Sequence, residues 1–286
     1  MLRKMNVISK EAFIPRRIKN ADKFTYKKVL IIAGAKGMAG AAYFAAHAAY
    51  KTGAGLVKIL TVEENRQIIQ TLLPEALISC YSNEKFDVSL VNKELNWSDH
   101  LVIGPGLGRD EYAFELVAEV IKDYKKPMVI DADALYVLAM KKDLSAFLSS
   151  NMLLTPHMIE MSRLIDKDTT YINEHMEKVA KDYSQKNNTN IILKAYKSII
   201  AGVDKSVYIS DSGSAAMAKG GSGDVLTGII AGFIALGFDI IKAARYACFI
   251  HGLSGTLASK IKGEHGVLAR DIVDFIPEAM KEYMLS

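Results

Sequence analysis

Short runs of Val, Ile, Leu and Met recur along the chain at 29–33, 56–60, 101–103, 128–130 and 152–154. Runs this short and this apolar are the pattern of strands buried on both faces of a mostly parallel sheet. Between them lie 41–52, 111–123 and 134–140, each with apolar residues at helical spacing and each about long enough for one crossover. The first half therefore predicts a doubly wound α/β arrangement. In the second half the runs 191–194, 198–201 and 207–210 follow closely, with Ala201-Gly202 and Asp204-Lys205 near turns, which predicts an antiparallel edge on the parallel sheet. Three apolar helices are expected after it, over 223–236, 240–260 and 269–283, the last preceded by the Gly263 and Gly266 breaks. The segment 39–49 carries Ala41, Ala42, Ala45, Ala46, Ala48 and Ala49, so its helix can approach neighbours closely. Its free N-terminal N–H groups favour phosphate or carbonyl oxygens, with room there for a flat ligand.

No repeat, low-complexity tract or linker interrupts the 286 residues, so one domain over 1–286, with 1–27 as an N-terminal arm, is the simpler account. Half the residues are hydrophobic (50%) and 24% are charged, the balance of an ordinary globular chain. The net charge is +4, with Lys and Arg scattered among acids, which argues against nucleic acid as a partner. The apolar runs fall short of the roughly 18 residues a membrane helix needs, so a soluble, cytoplasmic protein is expected. Arg3, Lys4, Lys10, Arg16, Arg17 and Lys19 against Glu11 have the charge of a transit peptide, yet Phe13-Ile14-Pro15 reads better as an arm packing onto the domain. Cys80 and Cys248 are far apart and belong to no metal spacing; two buried thiols in a reducing compartment are expected.

The sharpest chemical signal is Gly220-Gly221-Ser222-Gly223-Asp224, followed at once by an apolar helix. Such glycines let backbone N–H groups converge on an anion, and the helix start adds its positive dipole end. A carboxylate beside a bound phosphate is repelled by it. Asp224 is therefore read either as a base that deprotonates an attacking hydroxyl or as a plain helix cap. Gly34-Ala35-Lys36-Gly37, Gly104-Pro105-Gly106-Leu107-Gly108, Asp131-Ala132-Asp133 and Thr155-Pro156-His157 follow predicted strands, where a parallel sheet places its site. The spacing of Gly34, Gly37 and Gly40 is not that of a dinucleotide fingerprint. His157 reads as a rim residue or a satisfied structural histidine. Asp131 and Asp133 read as orienters of metal-bound water or as helix caps, and Glu160 as a ligand to Mg²⁺ through water or a solvated first-turn acid. His47, His100, His175, His251 and His265 share no ligand spacing and are read as structural or solvated.

Together with Gly53-Ala54-Gly55-Leu56-Val57, Asp131-Ala132-Asp133-Ala134-Leu135 and the run from Met217 to Leu226, these loops resemble the ADP/ATP-dependent NAD(P)H-hydrate dehydratases of the ribokinase-like superfamily. The order and spacing match from about Val29 to Pro277. The resemblance implies a ribokinase-like fold and a repair enzyme that uses the terminal phosphate of ADP, or of ATP, with Mg²⁺ to dehydrate the 6-hydroxy hydrates of NADH and NADPH. It implies that Ala41, Gly106, His157 and Asp224 bind the hydrate and that Asp224 activates its hydroxyl. Lys194, Ala195, Tyr196, Lys197, Ser198 and Gly223 would take the adenylate part of the nucleotide, and Gly220, Gly221, Ser222 and Gly223 the anion. A lone catalytic domain of this type leans towards ADP and a homotetramer. A kinase of a hydroxymethylpyrimidine or hydroxyethylthiazole type precursor, a nucleotide-binding module without catalysis and a dehydrogenase are the alternatives. The chain has Lys194-Ala195 where the family usually has Lys-Gly, and Met158-Ile159 where it has Pro-Gly. Ala195 requires that its position avoid positive φ.

Overall fold

Alternation within the apolar runs sends side chains to both faces of one sheet. In β1 (Lys28–Ile32), Val29 and Ile31 enter one hydrophobic cluster while Leu30 and Ile32 enter another, so neither face meets water. The computed structural model describes residues 13–83 and 85–285; Arg3, Lys4, Lys10 and the rest of the arm before Phe13 lie outside them. The sheet continues with β2 (Leu56–Val62), β3 (Leu77–Tyr81), β4 (His100–Ile103), β5 (Met128–Ile130), β6 (Met152–Leu154), β7 (Asn190–Leu193), β8 (Ser198–Ala201) and β9 (Val207–Ser210). These nine strands lie in the order β3-β2-β1-β4-β5-β6-β7-β8-β9. Every pair up to β7 is parallel, and β8 and β9 form the expected antiparallel edge.

Helices cover both faces. On one lie α1 (Ala39–Thr52) and α2 (Arg66–Leu72). On the other lie α3 (Val88–Trp97), α4 (Glu111–Asp123), α5 (Asp133–Met140), α6 (Met158–Ile165), α7 (Thr169–Glu174) and α8 (Met176–Asn187). The chain then returns to the first face with α9 (Ser222–Ala235), α10 (Ile240–Lys262), α11 (Ala269–Asp274) and α12 (Ile276–Lys281). The single helix expected over 269–283 is thus two. Pro277 falls in the first turn of α12, where its ring and missing N–H are tolerated, and it could not continue α11. The strand expected over 191–194 is shifted by one residue, with Lys194 outside it in an isolated bridge to His157.

The alanines of α1 serve chiefly as a packing surface. A Cβ added at Gly228 of α9 would fall 2.2 Å from the carbonyl oxygen of Ala45, and one at Gly232 would fall 2.3 Å from Cβ of Thr52. Only helices lacking bulk on both sides can approach so closely. At the start of the described chain, Ile14 pairs with Met284 and the Phe13 ring stacks on Tyr246 at 3.8 Å. Among the described residues no helix is long and apolar enough to cross a membrane, and both cysteines are free thiols, but only Cys248 is buried as expected, Cys80 being half-buried on the edge strand β3.

Candidate active site

The strand order turns at β1, with β2 on one side and β4 on the other. At such a switch point the loops leaving the two carboxyl ends diverge and open a crevice. Here the loops are joined at the base, where the Gly34 N–H donates to the Pro105 carbonyl at 2.9 Å. Gly104 admits no side chain, because a Cβ would lie 1.8 Å from the Asp131 carbonyl oxygen. Gly106 has φ +54°, and a Cβ there would meet Cβ of Ala41 at 2.9 Å. Gly106 of the β4 loop thus packs directly against Ala41 in the first turn of α1.

Across from it begins α9. Gly221, at φ 90°, turns the chain into the helix, a conformation open to glycine at little cost. The N–H of Ser222 donates to the Lys219 carbonyl, while the N–H groups of Gly220, Gly221, Gly223 and Asp224 find no acceptor among the described residues. Four unpaired donors at the positive end of a 14-residue helix favour an anion there. Asp224 sits in the first turn, and no hydrogen bond or ion pair engages its carboxylate among the described residues, so it is not the plain cap weighed above. Burial, joined by the negative charge of Asp131 and opposed by Lys194, pushes its pKa up to about 7. A carboxylate so placed is poised to take a proton near neutral pH.

Between the crevice and α9 lies a buried polar network. Oδ1 of Asp131 accepts from the Lys194 ammonium at 2.8 Å, and Oδ2 accepts from the Thr227 hydroxyl at 2.7 Å. Burial alone would raise the Asp131 carboxyl, but Lys194, with the hydroxyls of Thr227 and Thr155, overrides it and holds the group below its ordinary value. Lys194 is correspondingly raised, burial being outweighed by Asp131 and Glu160. The ammonium also lies beside the anion loop, since a Cβ at Gly223 would be 3.6 Å from Nζ. The cap reading of Asp131 and Asp133 does not hold. Ala132 occupies the cap position of α5 in a strained conformation, φ 49° and ψ −119°, and Asp133 instead accepts from the Gly108 N–H and pairs with Arg109. Strain of this kind persists where the surroundings over-determine the backbone, and here the two flanking carboxylates are both pinned.

His157 caps α6. Its Nδ1 accepts from the N–H groups of Ile159 and Glu160, and Glu160 accepts in return from the His157 N–H at 2.8 Å. This reciprocal box closes the turn with Met158-Ile159 in place. Glu160 is buried rather than solvated, and burial lifts its pKa to about 7. The His157 ring is still about half exposed (47%) beside it.

A cavity of about 650 Å³ opens between His157, the turn after β7, the start of α9 and the middle of α10. Lys194, Ala195, Tyr196, Ser198, Ser222 and Gly223 line it, whereas Lys197 and Asp224 do not. Ala195 is absent from the residues with positive φ, so the turn forms without the family's glycine. The opposite wall, with Ser212, Met217, Cys248 and His251, was not read from the sequence as part of a site. Apart from Met217, which opens the glycine run, its residues carry no motif, and topology alone brings the segment after β9 and the middle of α10 together.

A mostly parallel sheet with a switch-point crevice on one side of a glycine-opened helix and a nucleotide-sized cavity on the other is the ribokinase-like arrangement. The ADP/ATP-dependent NAD(P)H-hydrate dehydratase of Bacillus subtilis, co-crystallized with ATP and Mg²⁺, has the same fold at a TM-score of 0.82 and 26% identity, over 99% of this chain and 100% of its own. The chain belongs to the NAD(P)H-hydrate dehydratase family, whose model matches residues 29–278. It is 36% identical over 276 residues to the bifunctional NAD(P)H-hydrate repair enzyme of Moorella thermoacetica, covering 94% of this chain and 52% of that protein. It is 31% identical over 273 residues to the ADP-dependent (S)-NAD(P)H-hydrate dehydratase of Listeria monocytogenes, covering 94% and 93%. The chain thus spans about half the length of the bifunctional relative and nearly all of the shorter one.

Proposed function

We propose that this chain catalyses ADP-dependent dehydration of the 6-hydroxy hydrates of NADH and NADPH, restoring the reduced dinucleotide with release of AMP and phosphate. The observation that carries the reading is the unpaired Asp224 carboxylate beside four free backbone N–H groups at the start of α9. The hydrate lies over the surface that Ala41 and Gly106 form together at the switch point, with His157 at its rim, and the adenylate lies in the cavity beside Lys194, Ala195, Tyr196 and Ser198. Asp224 accepts the proton of the substrate hydroxyl as that oxygen bonds to the terminal phosphorus and the bond from phosphorus to the AMP oxygen breaks. The N–H groups of Gly220, Gly221 and Gly223 and the Lys194 ammonium hold the charge that builds on the phosphoryl oxygens. Phosphate is a far better leaving group than hydroxide. Its departure with the carbon–oxygen bond, and loss of a proton from the neighbouring ring carbon, return the double bond.

Among the described residues no three His, Cys, Asp or Glu side chains converge closely enough to hold a metal ion. Glu160, engaged by the His157 N–H, would meet a phosphate-borne Mg²⁺ through water. A single domain, a homotetramer and a cytoplasmic setting complete the reading. Incubation of the protein with NADH hydrate, ADP and Mg²⁺ is expected to restore the absorbance of reduced nicotinamide with equimolar AMP. No recovery with either ADP or ATP would reject the proposal, and stoichiometric build-up of a phosphorylated vitamin precursor would install the kinase in its place.

A further inference from the structure

One ring on the cavity wall has no part in the chemistry above. His251 lies in the middle of α10 with Nε2 3.2 Å from Oγ of Ser222, and both residues line the cavity. Ser222 is the first residue of α9, set between Gly221 and Gly223 in the anion loop. Its backbone N–H already donates to the Lys219 carbonyl at 3.3 Å, so the hydroxyl is the donor it has left to offer. A serine hydroxyl has three staggered side-chain positions and a freely turning hydrogen. Unless something selects one orientation, part of its value to a ligand is lost in ordering it.

His251 can make that selection. Burial pushes its pKa down to about 4, so near neutral pH the ring is uncharged, with one N–H and one lone pair. With the hydrogen on Nε2, the ring donates to Oγ and fixes the side-chain rotamer. The hydroxyl keeps its own hydrogen, and an anion held by the neighbouring N–H groups is the partner that takes it. The ring adds no charge and acts through orientation alone.

We propose that His251 is a positioning residue, which holds the Ser222 hydroxyl so that it donates to a phosphate oxygen of the nucleotide bound at Gly220–Gly223. The inference rests on the reading of the cavity as the nucleotide site, and it does not depend on the dehydration step.

Calorimetric binding of ADP with Mg²⁺, and separately of adenosine, to the full chain tests it with H251A, H251Q, S222A and the double variant H251A/S222A. A lost hydrogen bond to a charged group is expected to weaken ADP binding about tenfold or more in H251A and in S222A, with adenosine binding unchanged. The double variant should bind ADP no more weakly than S222A, and H251Q, whose amide N–H extends towards the position of Nε2, should recover most of the loss. Equal weakening of ADP and adenosine, or single effects that multiply in the double variant, or unchanged ADP binding, would each overturn the assignment. If H251A does not fold, the contrast between ADP and adenosine in S222A and H251Q decides the matter alone. Repair of NADH hydrate by the wild type alongside unaltered ADP binding in H251A sinks this proposal and leaves the function standing. Phosphate-specific weakening in a protein that repairs no hydrate does the reverse.

Discussion

At the scale of single residues, Asp224 sets function against stability. Its pKa rises from 3.8 to about 7, burial being the larger cause and the Asp131 charge the next. A carboxyl whose folded pKa lies above its unfolded value binds its proton more tightly in the native state, so its ionisation destabilises the fold as pH rises from about 4 towards 7. Asp224→Asn is therefore expected to lower turnover by a factor of about a hundred or more, as loss of a general base does, while ADP still binds. The same variant should melt at a higher temperature than wild type at pH 8, with the advantage vanishing near pH 4, where both side chains are neutral. Thermal melts of the two proteins across that range check this. No advantage at pH 8 would mean that the carboxylate is solvated and not under strain, and an advantage that persists at pH 4 would have a cause other than its charge. Asp224 was legible in the sequence because a glycine loop, a carboxylate and an apolar helix are adjacent there. The partners of Asp131 were not, since Lys194 and Thr227 stand 63 and 96 residues away and belong to no shared motif.

At the scale of elements, the site depends on how closely α9 lies against α1, because the first turn of α9 carries both the anion loop and Asp224. On an isolated helix, Gly228→Ala would gain about 1 kcal/mol from helix propensity. In this fold the new methyl would lie 2.2 Å from the Ala45 carbonyl oxygen. That atom is backbone and cannot rotate away, so an overpacking cost of about 1–3 kcal/mol is expected to outweigh the gain. G228A should thus have a lower melting temperature and reduced turnover, and a rise in melting temperature would show that the two helices can separate freely. The sequence exposed this contact from one side only. A run of alanines announces a helix that can be approached closely, yet the glycines that meet it lie in an apolar helix far along the chain. β3 was missed for a different reason: it is an edge strand in which only Tyr81 is buried, so neither a continuous apolar run nor strict alternation marks it. The break between α11 and α12 was marked by Pro277, and helical periodicity on both sides concealed it.

At the scale of the whole molecule, the two hydrophobic clusters share one sheet, with alternate residues of β1 and β4 serving each. Neither cluster can lose its half of those strands without exposing the other. If the chain is one domain, a single cooperative thermal transition is therefore the expectation. The doubly wound half was readable because parallel strands buried on both faces need unbroken apolar runs, and the antiparallel edge because its turns are short. The cavity draws its walls from the turn after β7, α9 and α10, elements that come together in the native state and in no unfolded chain. A ligand that binds across them stabilises the native state by mass action alone. At a hundred times its dissociation constant, ADP with Mg²⁺ should add about 2.7 kcal/mol, moving the whole transition upward by several degrees. At the same ADP concentration D224N should show at least this increment, because the base takes no part in holding the nucleotide and its removal relieves repulsion of the phosphate. Differential scanning calorimetry with and without ADP measures both. A transition that splits in two, with only the later part shifting, would replace the single domain with two units and confine the nucleotide site to the second.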